Sequence, residues 1–553
     1  MKLPRLASAL IASLALAVFL RAQPAPDQFI PRYQSDATPY PLYAGKFGES
    51  PEWTPPRLQL LAENFDAFYG NPAFTAEQVN QLRAIKPTFQ VVNYKGTWAI
   101  RDTATYEQSH RRDVLYYRAG NLKADISSAA TTLEISDLLG VLLPSTAAPG
   151  VSVSGETMVG FRYVTWLLVG REFLRIESVN GATVIVTRGF AGTTAAVHAA
   201  GTPVLAPVYA TPPTRTSLRY RHDPAVPLRW ESLLAAAEAD HASHSGGIWI
   251  DIITGNLSVN TMNGMPIPMN RRWDFRTQRG YSEADWDRAA EIGTTLMQEG
   301  FRANHGVYPI IWGNNLMHPV ALDRASPGRL GLLLSTPEKP RPLDGFALEN
   351  CYGGYGTGGN SGKEWSWKSF DEWQLTLRSL MFLAELKVSA RPLMLDGGQD
   401  NNNFAAEPAS FRHQVLLYGY CSYLLAVKIE PDDRIFSMIG FTPFVGPKSG
   451  AERRIELPPW FQWDIGRPSE TRLSADFAGY RLPGTTVFQR RFANGLVLVN
   501  PADTGAATFT LAQPYFDPLA GATVTELTLP AKTARILFTP TSATKFSATF
   551  ISR

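Results

Sequence analysis

Only two cysteines, Cys351 and Cys421, occur in 553 residues, so no disulfide framework holds this chain together and its stability has to come from buried apolar surface. The two thiols either pair in an oxidising compartment or sit apart as buried apolar groups. An excess of one charge sign is also lacking. Lys and Arg total 52 against 49 Asp and Glu, and the basic residues form no stripe, which excludes the electrostatic footprint of a nucleic-acid partner. Long hydrophobic runs are missing too. The longest, residues 6–20, is shorter than the roughly 20 residues a membrane span needs. What is plentiful is apolar and aromatic side chain, 44% and 11% of the residues, enough for full cores and incompatible with intrinsic disorder. At about 100 to 200 residues per domain, this length implies two or three globular units.

Residues 1–22 read as a signal peptide. A basic start (Lys2, Arg5) leads into the apolar run and then into small residues, with a Pro-rich stretch beginning at Gln23. Arg21 adjoins the expected cleavage after Ala22. The expectation is an exported protein, secreted or periplasmic, without integral membrane association once cleaved. Lys2, Arg5 and Arg21 lie in this segment and no acid does, so the remaining chain is formally neutral. Recognition of a partner therefore rests on local hydrogen bonds and aromatic stacking.

Residues 23–120 and 209–465 alternate short apolar runs with helical stretches. The runs are 58–61, 89–94, 114–117, 248–253, 307–312, 346–348, 392–395 and 435–439, and helices are legible at 76–85, 228–239, 370–386 and 411–427. Ser282 with Asp285 marks the start of another helix, reaching to about residue 300. Eight such repeats predict an α/β fold, a (β/α)8 TIM-type barrel. Residues 121–208 break the rhythm with alternating runs at 131–136, 172–179, 182–188 and 202–208 and an Asn180-Gly181 turn, as expected for an inserted all-β module. Its Arg188-Gly189-x-x-Gly192-Thr193 followed by His198 and Gly201 resembles a small β module found in phage tail proteins and in some secreted glycoside hydrolases. Helical patterning ends near residue 465, and 466–553 predicts a C-terminal antiparallel β-sandwich. Its strands resemble the appended β domain of amylase-like glycoside hydrolases.

In a (β/α)8 barrel the chemistry lies at the C-terminal ends of the strands. Asp251 closes the run Gly247-Ile248-Trp249-Ile250 and Glu349 closes Gly345-Phe346-Ala347-Leu348, each an acid ending an otherwise apolar strand. By count these are strands four and six. Glycoside hydrolysis needs such a pair, one carboxyl as acid and the other as nucleophile or base. Asp396, after strand seven, is the third candidate. Glu63 and Asn64 on strand one, Asn93 and Lys95 on strand two, and Asn314 and Asn315 after strand five are candidate substrate hydrogen-bonders, as are Asn350 and Gln399. The loop after strand six carries Trp365 and Trp367, and with Trp98 and Trp249 these are candidate platforms for the apolar faces of sugars.

Gly354, Gly356 and Gly359 formally match a dinucleotide fingerprint, but they occupy a late, long loop rather than a first strand-to-helix turn, so no nucleotide cofactor is expected. Asp240-His241-x-x-His244 has metal-ligand residue types. It precedes strand four, away from the catalytic end, and no metal or other cofactor is expected. No G-x-S-x-G elbow supports acyl transfer.

The N-terminal signal, the early β insertion, the GIWID and DGFALEN strand ends and the C-terminal β domain together resemble secreted bacterial glycoside hydrolases, in particular the hypothetical glycosyl hydrolase family 15. That resemblance implies a carbohydrate substrate and active-site roles for Asp251 and Glu349. The bulky thiol of Cys351 is a departure from the simple pattern around Glu349. A noncatalytic glycan-binding or envelope protein and a metal-dependent carbohydrate esterase or deacetylase are the competing readings.

Overall fold

The protein is seen in a computed structural model that describes residues 40–46, 52–70, 74–95, 99–101, 111–139, 166–208, 219–221, 227–242, 247–250, 261–262, 265–266, 268–275, 277–313, 343–355, 365–385, 391–395, 404, 406–445, 454–469, 477–542 and 551–552. Eight parallel strands close into a barrel: Leu42–Lys46, Ala67–Gly70, Gln90–Lys95, Gly247–Ile250, Ile310–Gly313, Gly345–Glu349, Arg391–Leu395 and Met438–Phe441, strands one to eight of the wall. The last returns to the first, with Leu42 opposite Ile439. Successive residues of a strand point to opposite faces, and the burial follows that rule. Tyr43, Ala67, Tyr69, Val92, Trp249, Ile310, Trp312, Ala347, Leu393 and Met438 form one cluster in the lumen. Their strand neighbours, such as Leu42, Phe68, Val91, Ile248, Ile311 and Leu348, pack outward under the helices.

Six of the eight expected runs overlap these strands, and two do not. Residues 58–61 lie in the helix Pro55–Asn64, where two prolines at the start preset the backbone and Leu58, Leu61 and Ala62 bury one helical face. A four-residue apolar run cannot by itself separate strand from buried helix. Residues 114–117 run into the strand Tyr116–Leu122, which belongs to the inserted module. The true strands one and two, LYAGK and AFYG, are short and hold a glycine each. The gain of these two and the loss of the two expected runs leave strands four to eight with their expected numbers, whereas Gln90–Lys95 becomes strand three.

The wall helices follow their sequence signals closely. Ala76–Ile85 opens on a capping box between Thr75 and Gln78, and Glu283–His305 on one between Ser282 and Asp285. Pro227–Ala242, Phe370–Glu385 and Ala409–Ala426 precede strands four, seven and eight. No helix of the described residues is long and apolar enough to cross a membrane.

In the module, Tyr116–Leu122, Thr132–Ser136, Thr183–Phe190, Glu172–Asn180, Trp166–Val169 and Pro203–Pro207 pair antiparallel in that spatial order, and the last pairs back to the first. Arg272–Asp274, from beyond strand four, adds to Tyr116–Leu122. The resemblance-bearing motif acquires a physical role here. The Glu172 carboxylate, 1% exposed, receives a two-pronged pair of bonds from Arg188, both 2.8 Å, the Gly189 and Ala196 amides at 2.9 and 3.1 Å, and His198 Nε2 at 2.9 Å. Burial alone would raise this carboxyl. The hydrogen bonds from Arg188, His198, Gly189 and Ala196 outweigh it and hold the pKa at about 2.

The C-terminal unit is one five-stranded antiparallel sheet, Phe488–Phe492, Gly495–Asn500, Thr533–Phe538, Ala506–Asp517 and Ala522–Pro530 in spatial order. One face, with Val497, Val499 and Ile536, joins the barrel's outer core. The other builds a separate cluster from Leu496, Leu498, Leu511, Tyr515, Leu529 and Leu537. The long hairpin pairs with the rest at Phe516 and Phe538, and its Leu511, Tyr515 and Leu529 share that cluster with Leu496, Leu498 and Leu537, so the described strands form one sheet. Arg490 reaches back to the barrel and donates to the Leu424, Leu425 and Val427 carbonyls at 2.9, 3.0 and 2.7 Å. It thereby satisfies the otherwise unpaired C-terminal end of Ala409–Ala426.

Glu172→Gln keeps the shape of the module's central carboxylate and removes its charge, leaving the buried Arg188 guanidinium without its counter-charge. It is expected to lower stability by about 3 kcal/mol, read as a fall in melting temperature at pH 7. Because the folded pKa lies below the ordinary 4.5, the carboxylate's contribution is present above pH 4.5 and is lost as pH falls towards 2. The gap between wild type and variant should narrow across that window, and a gap independent of pH would contradict the account.

Candidate active site

Glu349 is the last residue of strand six, in register with Leu395 of strand seven. It shares the face of Ala347, which lies in the lumen cluster, so the carboxyl belongs to the lumen side at the C-terminal mouth, half-buried. Directly after it the chain leaves the ladder. Asn350 adopts φ +54°, a left-handed conformation that Asn tolerates better than most residues. Cys351 then turns away from the lumen. Its thiol donates to the Leu348 carbonyl at 3.0 Å, its own carbonyl accepts from Thr376 Oγ1 at 3.3 Å, and the side chain is buried in the outer core. The thiol that departs from the simple pattern around Glu349 therefore packs in the outer core and not in the lumen. Cys351 and Cys421 are both free and buried, and burial pushes the Cys421 thiol well up.

Below the mouth the lumen is filled by aromatic rings. Tyr69 stacks on Trp249 with centroids 5.2 Å apart and 20° between planes. Trp249 continues to Trp312 at 6.0 Å and 26°, and Trp312 meets Tyr43 at 5.6 Å. Tyr69 lies across Gly45, where a Cβ would overlap the ring. Trp249, expected as a sugar platform, is 0% exposed. It is core filling, since a large ring in the middle of a closed strand meets the other strands and not solvent. Tyr69 and Trp312 were not singled out in the sequence, because short strands of mixed aromatics carry no periodic signal of their own.

Other expected site residues fall elsewhere. Glu63 and Asn64 end the helix Pro55–Asn64. Glu63 accepts from Gln59 on the surface, and Asn64 is buried, donating to the Leu60 carbonyl and accepting from Gln462. Both are structural, a direct result of the run 58–61 being helical. Asn93 and Lys95 sit on strand three with the parity opposite to Val92, so they face out of the barrel. There Lys95 Nζ meets Asp240 Oδ1 at 3.0 Å, and Asn93 bonds the same carboxylate. Burial raises the Asp240 carboxyl, and Lys95 and Asn93 pull it partly back. This fixes Asp240 as a packing partner of strand three. Among the described residues no group of three or more His, Cys, Asp or Glu could hold a metal ion.

Trp365 and Trp367 are half-buried in a short strand paired with Gly353–Tyr355. Their rings lean on other aromatics, Trp365 on Phe404 at 5.7 Å and Trp367 on Tyr418 at 5.2 Å, so they anchor the loop after strand six to Ala409–Ala426. Asp251, Asp396, Trp98, Asn314, Asn315 and Gln399 lie outside the described residues. One further cluster was not legible in the sequence, since its members are 43 and 44 positions apart. Glu456 accepts two bonds from Arg412, at 3.0 and 2.9 Å, and faces His413 Nε2 at 3.0 Å. The His413 contact draws its carboxyl down against the opposing effect of burial, and Arg412 adds to that. It ties the start of Ala409–Ala426 to the strand Arg454–Leu457, in segments that leave the C-terminal ends of strands seven and eight.

Lys95→Met tests the outward placement. Leaving Asp240 buried without its ammonium partner is expected to cost about 2 kcal/mol, seen as a lower melting temperature. The affinity for any bound glycan should stay at the wild-type level. An unchanged melt with weakened glycan binding would return Lys95 to the substrate site.

No protein-family model and no curated protein matches the chain. Among solved structures it is similar to the glycoside hydrolase domain of PelA from Pseudomonas aeruginosa, at 10% identity over 74% of this chain and 98% of that one, with a TM-score of 0.33. It is similar also to the maltogenic alpha-amylase AmyB from Thermotoga neapolitana, at 8% identity over 90% and 98% of the two chains and a TM-score of 0.37. A family GH13_31 enzyme shares 9% identity over 90% of this chain and 98% of its own, with a TM-score of 0.41. The closed parallel barrel stands on this chain's own strand pairings.

Proposed function

We propose that this protein is a glycoside hydrolase that cleaves a poly- or oligosaccharide at the C-terminal mouth of its barrel, with Glu349 as general acid and Asp251 as nucleophile or base. One observation carries the reading. Glu349 is a carboxylate closing strand six on the lumen face, above a wall otherwise filled with aromatic and aliphatic groups, at the end where (β/α)8 enzymes place their chemistry. Asp251 directly follows Ile250, the last residue of strand four, and is the acid that closes that apolar run in the sequence.

Strands four and six are separated by strand five alone. A carboxyl separation of roughly 5 Å would give retention of anomeric configuration and roughly 6.5 to 9.5 Å inversion. Glu349 would protonate the leaving glycosidic oxygen, while Asp251 attacks the anomeric carbon or activates water to do so. We read residues 1–22 as an export signal, testable by the N-terminal sequence of the protein recovered outside the cytoplasm.

On a glycan found by screening the purified protein against a polysaccharide panel, Glu349→Gln and Asp251→Asn should each reduce turnover by about 10² to 10⁴-fold with unchanged melting. Wild-type activity in either variant would remove that residue from the mechanism. Glycan binding without product in the wild type would instead favour a noncatalytic binding protein.

A further inference from the structure

We propose that the left-handed turn at Asn350 is a positioning device for Glu349, seated in space that Gly354 leaves empty; the proposal rests on Glu349 acting as the acid. Six non-glycine residues among those described have positive φ, and Asn350 is the one that directly follows the candidate acid. Backbone in this region persists where surrounding contacts over-determine it, and such contacts surround Asn350. On its N-terminal side, Glu349 is held in the ladder with Leu395. On its C-terminal side, the Cys351 thiol and carbonyl are bonded to Leu348 and Thr376, and the Tyr352 carbonyl accepts from the Lys368 amide at 2.9 Å.

The Asn350 side chain itself folds onto Gly354. A Cβ at residue 354 would overlap Asn350 Oδ1 and lie 2.7 Å from its Cγ. Gly354 cannot move away to make room, because it is paired with Ser366 in the hairpin whose tryptophans lean on Phe404 and Tyr418. Bulk added at 354 must therefore displace the Asn350 side chain, whose Cγ and Cβ would lie 2.7 and 3.2 Å from it, and so bears on the turn that directly follows the carboxylate. Asn350, expected from the sequence as a substrate contact, thus has a different role: its conformation sets where Glu349 points.

The test compares Asn350→Gly, Asn350→Val, Gly354→Ala, the double variant Gly354→Ala/Asn350→Gly and Glu349→Gln, with kcat and KM read separately. Asn350→Val strains a β-branched residue at positive φ, and Gly354→Ala displaces the side chain. Each should lower kcat by about 10 to 100-fold, the scale of a misplaced catalytic group, with KM near wild type. Asn350→Gly adopts the turn without strain and should stay within a few-fold of wild type. The double variant should recover to the Asn350→Gly level, since no side chain remains to be displaced.

Amide hydrogen exchange over residues 349–354 reads the turn independently of turnover. It should be faster in Asn350→Val and Gly354→Ala and slow again in the double variant. A rise in KM for Asn350→Gly would make Asn350 a substrate ligand and overturn the proposal, as would wild-type kcat or unaltered exchange in both Asn350→Val and Gly354→Ala. If Gly354→Ala fails to fold, the contrast between Val and Gly at position 350 decides alone. Full activity of Glu349→Gln would defeat the assignment of the acid, a separate result from failure of the turn.

Discussion

Closure of eight parallel strands into a ring decides, for every residue of the wall, whether its side chain meets the other strands or the helices outside. The rest of this protein's organisation follows from that constraint. The lumen has to be filled, and here rings do most of the filling, from Tyr43 through Trp312 and Trp249 to Tyr69. A packed lumen excludes a site inside the barrel and leaves the mouth, where strand alternation ends and loops begin. Glu349 lies at that boundary, with Ala347 below it in the lumen cluster.

The same parity explains which residues were legible from sequence and which were not. Helix starts with polar caps were clear, because Thr75 with Gln78 and Ser282 with Asp285 form local hydrogen-bonded boxes that need no tertiary context. Strands four to eight were recognisable as apolar runs, and the acid closing strand six stood out against Phe346 and Leu348. Strands one and two were not, being four or five residues with a glycine in each. Asn93 and Lys95 show the deeper limit. Val92 and Asn93 alternate whichever face is inside, and only the register with Gly247 and Ile248 of strand four, with Ile248 under the helices, reveals that the polar pair faces out. Trp249 illustrates the converse, since nothing local distinguishes a tryptophan that fills a lumen from one that receives a sugar.

The two β units differ in how they attach to the barrel. The inserted module closes its own ring and carries its own ionic centre, with Glu172 held by Arg188, His198 and two amides. Arg188, Gly189 and His198 of its motif serve that centre, which ties the motif to the module's folding. The C-terminal sheet has no such independence. Its inner face is part of the barrel's outer core, and two of its charged residues serve barrel helices: Arg490 caps the end of Ala409–Ala426, and Asp503 accepts from the Phe370 amide at the start of Phe370–Glu385. A helix end buried without such partners would leave carbonyls unpaired, at a cost of about 1 to 3 kcal/mol for each group.

These contacts form a continuous mechanical path to the mouth. Arg490 secures the C-terminal end of Ala409–Ala426. Tyr418 on that helix supports Trp367, with ring centroids 5.2 Å apart, and Phe404 supports Trp365 in the same short strand. That strand holds Gly353 and Gly354 in register, and Gly354 receives the side chain of Asn350, whose turn follows Glu349. Each link is a packed or hydrogen-bonded contact with little slack, since protein interiors are close-packed and transmit displacement. An acid at the rim of a barrel would otherwise depend on a loop for its orientation. In this protein the short strand Trp365–Trp367 is tied through aromatic packing to a capped helix, so the C-terminal sheet as well as the barrel wall holds the segment that follows Glu349.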